Sequence, residues 1–125
     1  MRKRIDLEYI FSSSVSILFS RLSTAPGLAE WFSDDVKHDG NIFTFGWDGV
    51  DEQAELVAMK KNSFVRFKWL DADDEDEFLE FSLHVEPLTE EVALIITDFV
   101  DNDEEGDEIE LWNKQIEMLH RTVGG

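Results

Sequence analysis

The sequence predicts one α+β domain with two layers, in which a curved antiparallel sheet packs against a long C-terminal helix. Apolar residues alternate with period two through most of residues 42–100, which is the pattern of half-buried strands. Over residues 109–123 they recur every three or four positions, as in an amphipathic helix. A chain of 125 residues is long enough to bury one core and too short for two. One helical stripe must therefore cover one apolar sheet face.

A strand over residues 3–11 is the first predicted element. The apolar side chains of Ile5, Leu7, Tyr9 and Phe11 fall on one side of it, and acidic side chains fall on the other. This alternation predicts a strand with one buried face.

Two short helices joined at a bend are predicted next. The serines at 12–14 supply an N-cap, and apolar residues then recur at helical spacing. Pro26 is well placed to open the second helix, which carries Leu28, Trp31 and Phe32 on one face.

About five further strands follow a predicted loop from Ser33 to Asn41. Asp48-Gly49 is a hairpin signal, and short polar segments separate the other strands. Successive strands with short turns pair in antiparallel fashion. The predicted strands cover residues 42–47, 53–59, 64–69, 78–86 and 92–100.

The last predicted element is a long helix after an acidic linker at residues 101–108. Its apolar stripe consists of Ile109, Trp112, Ile116, Leu119 and Val123. Gly124 is a plausible helix stop.

Charge excludes several classes of partner. The 29 acidic and 11 basic residues give a formal net charge of -18 and a pI near 4.2. Such a surface repels phosphate backbones and anionic headgroups, so we expect no nucleic-acid or membrane-surface binding. Partners should be neutral or basic. The absence of cysteine excludes disulfides and thiol catalysis and is compatible with the cytoplasm, where we expect the protein to reside.

Targeting and spanning segments are not expected either. The basic start of the chain resembles a secretory leader, but Asp6 and Glu8 interrupt the apolar segment that a leader needs. No apolar run approaches the roughly 18 residues of a membrane span.

Metal and catalytic patterns are also missing from the sequence. Residues 101–106 place acids and a glycine at calcium-loop positions, but Trp112 stands where a bidentate glutamate is required. The three histidines are scattered, and the serines are explained by capping. We therefore predict no catalytic residue, metal site or cofactor. Asp98 interrupts an apolar strand; we expect it near the strand end, with a position inside a cavity as the alternative.

Five segments in a particular order resemble one known superfamily. They are "PGLAEWF" at 26–32, "GNIFTF" at 40–45, "FVRFKW" at 64–69, "FSLHVEPLTEEVALIITDF" at 81–99 and "LWNKQIEMLHRTV" at 111–123. Their order and spacing resemble the START-like superfamily, also called the helix-grip fold or SRPBCC, and within it the branch of the activator of Hsp90 ATPase. The resemblance covers nearly the whole chain and implies a single START-like domain over residues 1–125.

The resemblance implies a cavity between the curved sheet and the terminal helix, which in many relatives takes a lipid, sterol, polyketide or other hydrophobic molecule. Aromatic and aliphatic side chains on the inner faces are the candidate ligand-binding residues, with packing of the core as their alternative role. They are Phe43, Phe45, Trp47, Val65, Phe67, Trp69, Leu79, Phe81, Leu83, Trp112, Ile116 and Leu119.

Two functions follow from the resemblance. The first is non-enzymatic binding of a hydrophobic or amphipathic small molecule, although a few relatives catalyse reactions in the pocket. The second is a protein-interaction module that resembles an Hsp90 co-chaperone domain, with a chaperone or another basic protein as partner. Eukaryotic co-chaperones of this type carry an additional N-terminal domain that this sequence lacks, so stimulation of a chaperone ATPase is not implied. The sequence leaves open whether the protein is a monomer or a homodimer.

Overall fold

An antiparallel sheet organises the fold. A computed structural model describes residues 2–124. Within that range the sheet has seven strands in the order β1-β7-β6-β5-β4-β3-β2. The strands are β1 (Arg2–Phe11), β2 (Asp35–Asp39), β3 (Ile42–Trp47), β4 (Val50–Lys60), β5 (Phe64–Trp69), β6 (Leu79–Val85) and β7 (Val92–Asp101).

Three helices complete the described part of the chain, apart from one 3-10 turn at Asn102–Glu104. Helices α1 (Val15–Ser23) and α2 (Ala25–Leu28) lie between β1 and β2, and α3 (Glu105–Val123) ends the described part. The sheet curves around α3, which confirms the predicted helix-grip architecture. None of these helices, within residues 2–124, has both the length and the apolar character of a membrane crossing.

The strand register brings the predicted apolar faces together. Val65 of β5 pairs with Phe81 of β6, and Leu83 of β6 pairs with Leu94 of β7. Because side chains alternate along each strand, these pairings place one apolar residue beside another on the inner face. The predicted inward side of these strands is therefore confirmed.

Two local signals end elements where the sequence predicts. Asp48 and Gly49 have φ values of 50° and 82°, as the two-residue hairpin between β3 and β4 requires. Gly124 adopts a left-handed conformation with φ 76° at the end of α3, and its N–H donates to the carbonyl of His120. The predicted turn and helix stop are thus confirmed.

Helices α1 and α2 start as predicted and pack closely. The Ser14 hydroxyl accepts a hydrogen bond from the N–H of Ile17, and the Thr24 hydroxyl accepts one from Gly27. A Cβ on Gly27 would overlap the main chain of α1, so the approach of the two helices requires glycine there.

Three boundaries differ from the prediction. The predicted loop from Ser33 to Asn41 contains strand β2, which is mostly exposed at the sheet edge and has no apolar alternation. The predicted linker at 101–108 is wrong over its second half, because α3 begins at Glu105. Helix α2 ends at Leu28, so Trp31 and Phe32 do not lie on the helix as predicted. They lie in the turns that follow it, where both side chains are buried. The predicted extent of the domain stays a prediction, since Met1 and Gly125 lie outside the described residues.

Candidate functional site

A cleft of about 760 Å³ opens between one end of the curved sheet and the N-terminal half of α3. Strands β1, β3, β4, β5 and β7 contribute to it, together with the loop that follows β5. Its lining residues are Arg2, Phe32, Trp47, Glu52, Trp69, Asp71, Ala72, Asp73, Asp74, Glu77, Asp98, Phe99, Val100, Asp101, Glu104, Glu108, Leu111, Trp112 and Gln115.

One side of the cleft is an aromatic wall, defined here as Phe32, Trp47, Trp69 and Trp112. The Phe32 ring lies 5.3 Å from that of Trp47 in a T-shaped arrangement, and it stacks on Trp112 at 5.7 Å. Trp47 and Trp69 are 6.2 Å apart. Phe32 and Trp112 are buried, whereas Trp47 and Trp69 are partly exposed. The wall therefore presents apolar surface to the cleft from a packed support.

The main-chain carbonyl of Phe32 holds this wall together. It accepts one hydrogen bond from Nε1 of Trp47 at 2.9 Å and another from Nε2 of Gln115, also at 2.9 Å. These bonds tie the segment after α2 to β3 and to α3. The Trp47 indole is consequently oriented before any ligand arrives.

Asp98 is the acidic group most closely connected to the aromatic wall. Its Oδ2 accepts a hydrogen bond from Nε1 of Trp112 at 3.1 Å, and its Oδ1 accepts one from its neighbour Phe99 at 2.8 Å. Asp98 pairs with Ile5 of β1 on the inner face, and β7 continues to Asp101. The expected position of Asp98 near the strand end is therefore wrong, and the alternative, a position facing a cavity, is the observed one.

Burial raises the pKa of Asp98, although the hydrogen bonds from Phe99 and Trp112 oppose part of that rise. The pKa of Glu108 is also raised, first by burial and then by the negative charges of Asp98 and Glu104. In both cases the main cause is the partial removal of the carboxylate from water, which disfavours its charged form.

Arg2 is the single basic residue among the described residues that line the cleft. Its Nη2 donates to Glu77 at 2.8 Å and to the carbonyl of Phe99 at 2.9 Å, and its Nε donates to the second Glu77 oxygen at 3.1 Å. The Glu77 side chain is only 13% exposed. The Arg2–Glu77 ion pair thus connects the acidic loop 71–77 to strand β1.

The same loop is held at a second point, where Nζ of Lys68 donates to the carbonyl of Glu75. The aspartates at 71, 73 and 74 remain exposed along the mouth of the cleft. Together with the other lining carboxylates, they form an acidic rim around the aromatic wall.

Three of the twelve predicted binding residues line the cleft: Trp47, Trp69 and Trp112. The other nine are buried in the hydrophobic core behind or beside it, and their part in ligand binding stays a prediction. They are Phe43, Phe45, Val65, Phe67, Leu79, Phe81, Leu83, Ile116 and Leu119.

Sequence reasoning did not identify Phe32, Glu108 and Gln115 as site residues. Phe32 carried a usable signal, since it follows Trp31 in an apolar pair that had to be buried. The predicted linker at 101–108 includes Glu108, and nothing in its neighbours predicts a position facing strand β7. Within residues 2–124, no three His, Asp or Glu side chains are grouped as a metal site would require.

Comparisons with known proteins identify the family and the fold. A family model described as a START-like superfamily domain matches residues 1–125. The solution structure of BfR322 from Bacteroides fragilis is similar with 41% identity and a TM-score of 0.69, covering 97% of this chain and 90% of that chain. The comparison with curated proteins found no match.

Two more distant structures share the fold. The Aha1 dimer from Colwellia psychrerythraea has a TM-score of 0.82 at 15% identity, covering 97% of this chain and 96% of that chain. MLL2253 from Mesorhizobium loti has a TM-score of 0.74 at 18% identity and covers 95% of each chain. Identities this low show likeness of fold alone.

Proposed function

Because the chain belongs to the START-like superfamily, whose domains often bind ligands, we propose that it binds a hydrophobic or amphipathic small molecule, lipid-like or aromatic. The molecule occupies the cleft between the curved sheet and α3. The protein holds or carries it without covalent chemistry. The proposed location is the cytoplasm, which cell fractionation would test.

The aromatic wall is the observation that supports this proposal most directly. Ligand pockets are clefts of roughly 300–1,000 Å³ lined mainly by apolar and aromatic side chains with a few orienting polar groups. The cleft described here has about 760 Å³ and four aromatic rings packed against one another. In this proposal the partly exposed rings of Trp47 and Trp69 contact the ligand.

The buried residues of the predicted set support the wall from behind. Phe45 lies 5.9 Å from Trp47 and 5.8 Å from Trp69, ring to ring. Phe81 lies 6.0 Å from Trp112. We propose that these core rings fix the positions of the indoles that touch the ligand.

Native mass spectrometry of the gently purified protein, compared with its denatured mass, is the first test. A mass increment that disappears on denaturation supports the proposal. A panel of lipids and aromatic compounds, followed by intrinsic tryptophan fluorescence, provides the second test. Uniform failure to bind, with no increment in the native spectrum, would contradict the proposal.

A pair of variants locates the binding site. Ala72→Trp adds an indole at the cleft, whereas Ala29→Trp adds one at an exposed position that does not line it. We expect the first variant to lose most of the binding and the second to retain it. Equal binding by both variants would place the ligand elsewhere.

A protein-interaction module is the second candidate, supported by the formal net charge of -18. Such a surface attracts a basic partner with salt-sensitive kinetics. The Aha1 neighbour from Colwellia psychrerythraea is a dimer, and a homodimer is an alternative to a monomer here. Pull-downs at low salt that enrich neither Hsp90 nor any basic protein would count against this candidate, and sedimentation would decide the oligomeric state.

A further inference from the structure

The charge distribution in the cleft narrows the class of ligand, an inference that rests on the proposed function. Nine of the lining residues are acidic and one is basic. A cleft that has an aromatic wall and a rim of one sign of charge selects molecules by the sign of their polar end, because charges in a partly enclosed cleft are poorly screened.

The one guanidinium in the cleft acts on the inner carboxylates without a direct ion pair: the charge of Arg2 lowers the pKa of Asp98 and of Glu108, but by less than burial raises it. Arg2 is bonded to Glu77 and to the Phe99 carbonyl. Neither Asp98 nor Glu108 takes part in an ion pair among residues 2–124. The inner part of the cleft, within residues 2–124, therefore contains two carboxylates that make no direct ion pair.

A chain of contacts links this acidic end to the aromatic wall. Asp98 accepts a hydrogen bond from the Trp112 indole, Trp112 stacks on Phe32, and Phe32 meets Trp47 edge to face. An elongated molecule could place a polar end at Asp98 and an apolar body along the indoles. Tryptophan faces also attract cations, which adds to the attraction of the carboxylates.

We propose that the cleft takes an amphipathic cation, with an aromatic or alkyl body on Trp47 and Trp69 and an ammonium group at Asp98 and Glu108. Ammonium-to-carboxylate hydrogen bonds are charge-assisted and stronger than neutral ones. Fatty acids, phosphate esters and other anionic amphiphiles are disfavoured. Burial is the main cause that raises the pKa of Asp98 and of Glu108, and a bound cation would offset this cost by stabilising their charged forms.

Three probes with one common ring system test the charge preference. They are 1-naphthylmethylamine, 1-naphthylmethanol and 1-naphthylacetate, which carry a positive, a zero and a negative charge at neutral pH. Isothermal titration calorimetry at low salt and at about 150 mM salt measures each Kd. We expect the amine to bind at least about tenfold more tightly than the alcohol, which corresponds to ~1.4 kcal/mol, and the acetate to bind most weakly.

Matched double variants separate local contact from the overall negative field. Asp98→Asn with Glu108→Gln removes two charges from the cleft. Asp107→Asn with Glu110→Gln removes two charges from the first turns of α3 that do not line it. We expect the cleft variant to reduce the amine preference to within about threefold, and the control variant to retain it.

The outcomes distinguish the two proposals. If wild-type protein binds the amine and the alcohol equally well, the cation inference is wrong while the proposed function stands. If the control variant loses the preference as fully as the cleft variant, the assignment to Asp98 and Glu108 is wrong. If no probe binds, the cation inference is contradicted, whereas the proposed function falls only if the lipid and aromatic panel and the native mass spectrum are negative as well. Chemical shifts of the indole N–H signals in the wild-type protein report contact at Trp112 and do not depend on a variant folding.

Discussion

Replacement of Trp112 is the perturbation whose effect the structure defines most closely. The side chain is 5% exposed, stacks on Phe32 at 5.7 Å and meets Phe81 edge to face at 6.0 Å. Trp112→Ala removes this buried ring and leaves Asp98 without its indole donor. Large-to-small substitutions of buried aromatic residues cost ~3–5 kcal/mol in free energy of unfolding, and we expect a loss in that range.

Trp112→Phe separates the loss of the hydrogen bond to Asp98 from the loss of ring packing. The variant keeps most of the ring but removes the N–H that donates to Asp98 at 3.1 Å. A hydrogen bond to a charged group contributes ~1.5–3 kcal/mol, and water in the open cleft replaces part of it. We therefore expect a loss of about 1–2 kcal/mol for Trp112→Phe.

Urea unfolding followed by far-UV circular dichroism measures these losses by linear extrapolation, without relying on the tryptophan signal that the substitution removes. Leu111→Ala is the control, since Leu111 precedes Trp112 on the same helix and is 51% exposed. We expect it to cost less than about 1 kcal/mol. A loss below ~1 kcal/mol for Trp112→Ala, or no difference from the control, would refute the view that this ring joins α3 to the sheet.

Three further predictions concern carboxylates. Burial raises the pKa of Asp98 in the folded protein, so the folded state binds the Asp98 proton more tightly than the unfolded state does. The free energy of unfolding therefore falls as pH rises from the unfolded pKa of Asp98 through its folded pKa. Asp98→Asn should therefore gain stability relative to wild type as pH rises above about 4, measured by urea unfolding at several pH values; a difference that does not change with pH would contradict this. Replacing the exposed aspartates at 71, 73 and 74 by asparagine should change the free energy of unfolding by less than about 0.5 kcal/mol. Glu77→Gln in the same loop should lower the free energy of unfolding by about 1 kcal/mol, because it weakens the ion pair with the half-exposed Arg2. If thermal unfolding shows the same effect for Glu77→Gln as for the replacement of the three aspartates, the ion pair contributes nothing.

Period-two alternation was a reliable guide because it depends on local backbone geometry and on one buried face. Phe43 and Phe45 of β3, and Val65 and Phe67 of β5, point to the core as predicted. Strand β2 shows the limit of the method. Its residues are mostly exposed, and main-chain pairing with β3 holds it at the edge, which no side-chain pattern reports.

The start of α3 was mispredicted for a related reason. Glu105, Asp107 and Glu108 look like part of a solvated linker when only charge is considered. In the structure they occupy the first turn of the helix, where negative side chains are favoured by the helix dipole. An acidic run is compatible with both environments, so charge alone did not distinguish them.

The sequence by itself determined the order of most elements and their apolar faces, because each depends on spacing between residues near one another in the chain. The superfamily followed from the resemblance of five segments, in order, to a known family. Only the tertiary structure decided which of the buried aromatics reach a cleft and which acids share it. Trp47, Asp98 and Glu108 lie on three different elements, and their meeting depends on the curvature of the sheet and the position of α3. Those are long-range properties of packing, and no local pattern in the sequence encodes them.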